Sequence, residues 1–247
     1  MDRKQPFLVD LPERREDLWR QMSYFLHAWR DVPPLPLGLD DKVLTVMESN
    51  LGFRFPLALR EFYGEFGALV GGFFDDGRNA LLRPDQCRIA DEFSGPLDSE
   101  TLVIAEEYYG ALWGVRRDEI DLADPPVRCI DTGGAEIDGL FSVTEFLVGL
   151  LFRSTVAHAP LYLRVECDLP EPGLAGIIHG NLLAHFQSWD RGNMEKECGF
   201  LSHIEGQGII AALTEECLHL GLRGTASILT LPDPLPTLIA ELDLRRT

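Results

Sequence analysis

The chain has 247 residues, of which 45% are hydrophobic and 25% are charged, a composition typical of a globular protein and not of a disordered one. It carries 40 acidic against 22 basic residues, a net charge of −18. This excess of negative charge repels phosphate backbones and anionic lipids, so it disfavours direct binding of nucleic acid or of a membrane surface. It attracts a basic protein, although the same charge also serves simply to keep a protein in solution.

The five cysteines indicate a reducing environment. Their number is odd, their spacing is wide and no Cys-x-x-Cys pair occurs, so the sequence offers no disulfide framework. The N-terminal residues contain no apolar run long enough for a secretory signal, and the longest apolar run, residues 146–152, ends at Arg153. We therefore expect a cytoplasmic protein that does not cross a membrane.

Two helices are predicted at the start of the chain. Residues 13–30 carry apolar side chains at helical spacing, with acidic residues in the first turn. Residues 31–38 contain three prolines, which cannot continue a helix. A second helix is expected over 40–50, beginning at one of the two aspartates at 40 and 41.

Residues 51–67, LGFRFPLALREFYGEFG, predict the end of the second helix and the whole of a third. Gly52 is suited to a left-handed C-cap, and Pro56 is suited to the first helical position, where its missing N–H costs nothing. The apolar face of the third helix includes Phe62, and Gly67 follows as a terminator.

An antiparallel meander is predicted in the middle of the chain. A strand, a tight turn at Asp76–Gly77 and a second strand come first, and residues 84–93 are expected to form a short helix or a turn. Strands at 101–106, 111–116 and 127–131 follow, with Trp113 expected in the core.

A further helix is predicted from Ser142 onwards, because Ser142 and Glu145 have the spacing of a capping box and Phe146 begins the apolar face. Beyond residue 160 the pattern weakens. A strand is expected from residue 161, a helix at 208–221 and a final extended piece after it. Residues 174–189 fit a helix or a strand. The sequence thus predicts an α+β domain over residues 1–160 and a C-terminal α/β extension or small subdomain over 161–247.

The order of these elements resembles the SUKH superfamily, the cell-wall-regulator-like α+β domains found among bacterial immunity proteins. The resemblance covers roughly residues 38–157, and the turn after Gly67, GALVGG, departs from the Asn-Gly type usual in the family. The residues that carry it are Glu48, Leu51, Gly52, Pro56, Arg60, Phe62, Gly67, Gly110, Ser142, Glu145, Phe146 and Leu147, with Trp113 on the second strand of the meander.

The resemblance implies a non-enzymatic protein without a cofactor that binds and neutralises a toxin domain. Many such toxins are nucleases with basic clefts, which an acidic protein can cover. Residues 91–145 hold fourteen acidic residues against three arginines, a net charge of −11, and are the candidate contact face. Exposed tyrosines beside acids also suit a protein interface. The candidate partner-binding residues are Asp75, Asp76, Glu106, Glu107, Tyr108, Tyr109, Asp118, Glu119, Asp121 and Asp124.

Other functions have weaker support in the sequence. A regulatory scaffold with a different protein partner is the main alternative. A metal site would require the fold to bring together His179, His185, Cys198, His203, Cys217 and His219, whereas lone histidines and buried cysteines are the usual explanation. The acids at 118–124 also fit a magnesium site or an acid–base pair, but such runs are more often solvated loops. Nucleophile and nucleotide-binding motifs are absent from the sequence, which leaves a hydrolase as a distant possibility.

Overall fold

The structure is a computed structural model that describes most of the first 160 residues and parts of the rest. The described residues are 14–30, 38–71, 74–75, 79–90, 100–108, 110–130, 136–159, 161–166, 187–189, 202–206, 209–213, 217–222, 233 and 237. They fall into two compact units: the first holds the described residues of 14–27 and 38–154, and the second holds 28–30 and those from 155 onwards. The domain boundary expected at residue 160 stays a prediction.

Four α-helices confirm the helices predicted in the first 160 residues. They are α1 at Arg15–Arg30, α2 at Asp41–Leu51, α3 at Leu57–Phe66 and α4 at Val143–Ala157. The capping box of α4 is formed, since Ser142 Oγ accepts from the Glu145 N–H at 3.2 Å and the Glu145 carboxylate accepts from the Ser142 N–H at 3.2 Å. No helix among the described residues is both long enough and apolar enough to cross a bilayer.

The corner between α2 and α3 has the predicted caps, with one difference. Gly52 adopts the left-handed conformation with φ +68°, and its N–H donates to the Glu48 carbonyl. Pro56 is the N-cap of α3 and not its first helical residue, because its ψ of 149° is extended. Gly67 ends α3 in a right-handed conformation with φ −56°.

A six-stranded antiparallel sheet lies between α3 and α4 in the chain, which confirms the predicted meander and the α+β class. Its strands lie in the order β1-β3-β4-β5-β6, with β2 also paired to β3. The strands are β1 at Asn79–Leu81, β2 at Arg88–Ile89, β3 at Thr101–Glu107, β4 at Leu112–Arg116, β5 at Pro126–Ile130 and β6 at Glu136–Ser142.

Two parts of this sheet differ from the sequence prediction. Residues 84–93 were expected to form a short helix or a turn beginning at Pro84; the turn is present at 84–86, but the unpredicted strand β2 follows it. No strand was predicted at β6, although the alternation of Glu136, Ile137 and Asp138 is a strand pattern. The tight turn expected at Asp76–Gly77 lies outside the described residues.

Aromatic side chains of α3 form the centre of the first unit. Phe62 is fully buried and packs edge-on against Trp19 of α1 and against Phe74, with ring centroids 5.7 Å and 4.9 Å away. Trp113 is buried as predicted: its indole N–H donates to the side chain of Asn79 at 3.0 Å, and its ring lies 5.2 Å from that of Phe146. These contacts join α1 to α3, and they join α4 to the sheet.

The second unit contains a five-stranded antiparallel sheet in the order β7-β11-β10-β9-β8. The strand expected from residue 161 is confirmed for its described part. The strands are β7 at Leu161–Glu166, β8 at Gln187–Trp189, β9 at Ser202–Gly206, β10 at Ile209–Leu213 and β11 at Cys217–Leu222.

The helix predicted at 208–221 is wrong, because that segment contributes the paired strands β10 and β11. Residues 209–213 are a five-residue apolar run, and 217–222 place leucines at every second position, as a sheet with one buried face requires. Leu220, on that leucine face, is buried. The last extended piece falls almost wholly outside the described residues, and the α/β character of the extension stays a prediction.

Candidate protein-binding surface

The turn between β3 and β4 presents an exposed tyrosine among acids. Gly110 closes the turn with φ +99°, a conformation that a side chain at this position would strain, and its N–H donates to the Glu107 carbonyl at 2.8 Å. The Tyr108 side chain is 68% exposed, which makes it the most exposed large hydrophobic residue of the described chain. The structure therefore supplies the exposed aromatic that the sequence predicted for an interface.

Tyr108 is held in place by an acid from another part of the first unit. Its hydroxyl donates to Asp75 Oδ2 at 3.1 Å, and this hydrogen bond raises the pKa of Tyr108. Glu106 and Glu107 lie at the end of β3 beside it, and Glu106 forms an ion pair with Arg88. We call Asp75, Glu106, Glu107 and Tyr108 the hairpin surface. Two further candidates, Asp76 and Tyr109, lie outside the described residues.

The four candidates at 118–124 mostly bind groups of this chain. Asp118 lies 3.5 Å from Arg116, and Glu119 pairs with the half-buried Arg128. Asp124 Oδ1 accepts from the N–H of Thr144 at 2.9 Å, in the first turn of α4. Asp121 is exposed. Glu119 and Asp124 therefore help to hold the loop in place, and we call all four residues the loop acids.

The structure does not bring the two sets of candidates together. In the β3–β4 pairing Glu106 lies opposite Leu112, at the start of β4, while Thr101 lies opposite Arg116, just before the loop acids. Five residues of strand separate these ends, a distance of about 17 Å at the usual rise per residue. The acidic segment thus gives two separate patches and not one face.

Glu48 and Arg60, two of the residues that carry the SUKH resemblance, fasten α2 to α3. The Arg60 guanidinium pairs with the Glu48 carboxylate, and it also donates to Asp41 Oδ1 at 2.7 Å. Burial alone would lower the pKa of Arg60, but the bonds to both carboxylates outweigh it and the pKa is raised. Glu48 also accepts from the backbone N–H of Phe55 at 2.9 Å. These two residues are structural in this chain.

A cleft of about 460 Å³ lies between α1, α2 and α3, a feature that the sequence reasoning missed. Its buried floor includes Trp19 and Leu44, and its accessible rim carries four carboxylates and one arginine. The lining residues are Glu16, Trp19, Leu39, Asp41, Leu44, Leu57, Arg60, Glu61, Gly64 and Glu65, and we call this site the helical cleft. Sequence spacing relates Glu61 to Glu65 on one helix, but it carries no signal that α1 packs beside them.

The structure gives little support to the metal site that was considered from the sequence. Among the described residues no group of three or more His, Cys, Asp or Glu side chains is placed to hold a metal ion. Two of the possible metal ligands, His203 on β9 and His219 on β11, both pair with Ala212 of β10, the strand between them. Three others, Cys198, His179 and His185, fall outside the described residues.

The buried Cys87 is poorly suited to act as a nucleophile. Burial raises its pKa to about 12, and its sulfur lies 3.3 Å from the hydroxyl of Tyr63. Tyr63 is fully buried, and its hydroxyl donates to the Leu82 carbonyl at 2.8 Å. The thiolate, which is the reactive form, is therefore scarce at neutral pH.

Comparison with protein-family models, with curated proteins and with solved structures gives no match for this chain.

Proposed function

We propose that this chain is a non-enzymatic cytoplasmic protein that binds a basic protein partner through the hairpin surface. The observation that carries the proposal is Tyr108, which is 68% exposed at the end of the β3–β4 hairpin and is flanked by carboxylates. Tyrosine is enriched among residues that dominate binding energy, and surrounding acids steer a basic partner to it. The loop acids are weaker candidates, because residues 117–125, which carry them, include no aromatic residue.

The specific partner we propose is a toxin domain. A neighbouring gene that encodes a large secreted protein with a variable C-terminal domain would supply the toxin domain for the test. The SUKH resemblance of residues 38–157 supports this identity, and the net charge of −18 suits a basic nuclease domain. Co-expression of this chain should restore growth of cells that produce the toxin domain. Failure of the two purified proteins to associate would refute the toxin assignment, and binding without rescue would favour a regulatory scaffold.

The hairpin surface is tested by comparing two double variants with the same change of charge. Glu106→Lys with Glu107→Lys should slow association about tenfold and weaken its dependence on salt, since attraction between opposite charges acts on the on-rate. The matched control, Asp118→Lys with Asp121→Lys, should leave the on-rate within about twofold by the same reasoning. Surface plasmon resonance at several salt concentrations measures both. An equal effect of the two variants would show that only overall charge matters and that the hairpin surface is not the contact.

A further inference from the structure

We propose that the hairpin surface recognises an arginine of the basic partner, whose guanidinium stacks on the exposed ring of Tyr108. This inference rests on the proposed function for the existence of a basic partner, and it names the chemical group by which that partner is recognised. A guanidinium is flat and weakly hydrated, so it stacks on an aromatic ring more readily than the compact, strongly hydrated ammonium of lysine does. The hairpin surface should therefore distinguish arginine from lysine.

The ring of Tyr108 is open to such a group. Tyr108 directly follows β3 and is 68% exposed. Among the described residues no cation of this chain lies over its ring, whereas the guanidinium carbon of Arg117 lies 5.3 Å from the centroid of the Phe53 ring. That contact shows the intended geometry, since cation–π attraction acts within about 6 Å of a ring centroid.

Strand pairing places carboxylates on the same side of the sheet as this ring. Asp75 forms an isolated bridge with Ala80, and Ala80 pairs with Glu106 of β3. Tyr108 follows Glu106 by two residues, the spacing that returns a side chain to the same face of a strand. The bond from the Tyr108 hydroxyl to Asp75 at 3.1 Å agrees with this placement. The negative charge of Asp75 and Glu106 favours a cation at the ring.

The side chains of the hairpin surface offer hydrogen-bond acceptors and no spare donor. The Tyr108 hydroxyl donates its only proton to Asp75, and this bond raises the pKa of Tyr108, so the phenol stays neutral. Carboxylates only accept. Glu106 is already paired with Arg88, so an incoming cation meets the ring face and the surrounding negative potential, and not an unpaired carboxylate. A donor-rich cation is matched there, whereas an acidic group is repelled.

The experiment compares two fluorescein-labelled peptides, one in which glycine alternates with arginine and one of equal length in which glycine alternates with lysine. Fluorescence polarisation gives their dissociation constants with the full-length protein. Both peptides carry the same charge, so their general attraction to the net charge of −18 cancels in the ratio of the two constants. The preference for arginine should be about threefold larger in the native protein than in Tyr108→Leu, the order of one exposed cation–π contact.

Two further variants separate the ring from the hydroxyl and from general aromatic content. Tyr108→Phe should keep the native preference, because the ring remains and the hydroxyl proton is already used within the chain. Tyr24→Leu is the matched control, since Tyr24 is 55% exposed but lies on α1, and it should also keep the native preference. An unchanged preference in Tyr108→Leu would overturn the proposal, and so would its loss in Tyr108→Phe or an equal loss in Tyr24→Leu.

These results are independent of the toxin domain, because both probes are peptides. The arginine assignment fails alone if the Glu106→Lys, Glu107→Lys variant slows association with the toxin domain while Tyr108→Leu leaves the peptide preference unchanged. The toxin assignment fails alone if the peptide preference depends on Tyr108 while the toxin domain does not bind.

Discussion

Two glycines that face each other across the first unit should respond to the same substitution in opposite ways. Gly38 precedes α2, and its neighbour Leu39 donates its N–H to the Tyr63 carbonyl of α3 at 3.0 Å. A Cβ added to Gly38 would lie 1.5 Å from the Gly64 carbonyl oxygen and 2.3 Å from its carbon. Both are backbone atoms, so no side-chain rotation can relieve the clash. A Cβ added to Gly64 itself would meet nothing.

The expected magnitudes follow from these contacts. Gly38→Ala should reduce the free energy of unfolding of the first unit by about 3 kcal/mol, the upper part of the range for overpacking, because the chain before α2 must move away from α3. Gly64→Ala should raise it by about 0.5–1 kcal/mol, since alanine is the better helix former. Both changes reduce the entropy of the unfolded chain equally, so the difference between them reports the native state: the clash at Gly38 and the helical position of Gly64.

Urea denaturation followed by tryptophan fluorescence measures both variants. With a slope of about 2 kcal/mol per molar urea, the Gly38→Ala midpoint should fall by about 1.5 M and the Gly64→Ala midpoint should rise by up to about 0.5 M. Equal midpoints for the two variants would refute the close approach of Gly38 to α3. A destabilised Gly64→Ala would show that the cleft wall is more tightly packed than the structure has it.

Three further predictions concern the framework of the first unit. Glu48→Ala should destabilise the unit by about 3 kcal/mol, because it leaves the half-buried Arg60 with one carboxylate fewer, and urea midpoints check this. Ser142→Ala should cost about 1 kcal/mol through loss of its bond to Glu145, and a smaller change in melting would contradict the capping box. Burial raises the pKa of Cys87 from 9.0 to about 12. At pH 8 its thiolate fraction in the native protein is therefore about 1,000-fold lower than that of a cysteine with the ordinary pKa of 9.0. Mass-spectrometric mapping after iodoacetamide treatment should find it unlabelled until urea is added, and rapid native labelling would contradict its burial.

The first unit was predictable where local chemistry decides structure. The left-handed cap at Gly52 and the capping box at Ser142 and Glu145 depend on residues a few positions apart, and both formed as predicted. The helix expected at 208–221 failed for the opposite reason. A five-residue apolar run fits a buried strand as well as a helix, and only its pairing with neighbouring strands decides between them.

The candidate site was less predictable, because it depends on distances through space. Glu106 and Asp118 are only twelve residues apart in the sequence. The strand β4 runs between them, so they lie at opposite ends of the β3–β4 pair. The sequence also cannot show which carboxylates already accept hydrogen bonds within the chain, as Asp124 does from the first turn of α4. The helical cleft had no linear signal, since Trp19 and Gly64 meet there only after α1 packs against α3.

The two acidic patches differ in how far the fold depends on them. The loop that bears Asp121 is tied to the rest of the unit: Arg117 donates to the Gly52 carbonyl at 3.1 Å, and Ala123 accepts from the N–H of Ala58 at 3.1 Å. Substitutions there would loosen several elements at once. The hairpin turn is set by Gly110, with φ +99°, and by backbone hydrogen bonds that any residue can make, so its exposed side chains tie fewer elements together. A substitution on the hairpin surface should therefore cost the fold less than one among the loop acids.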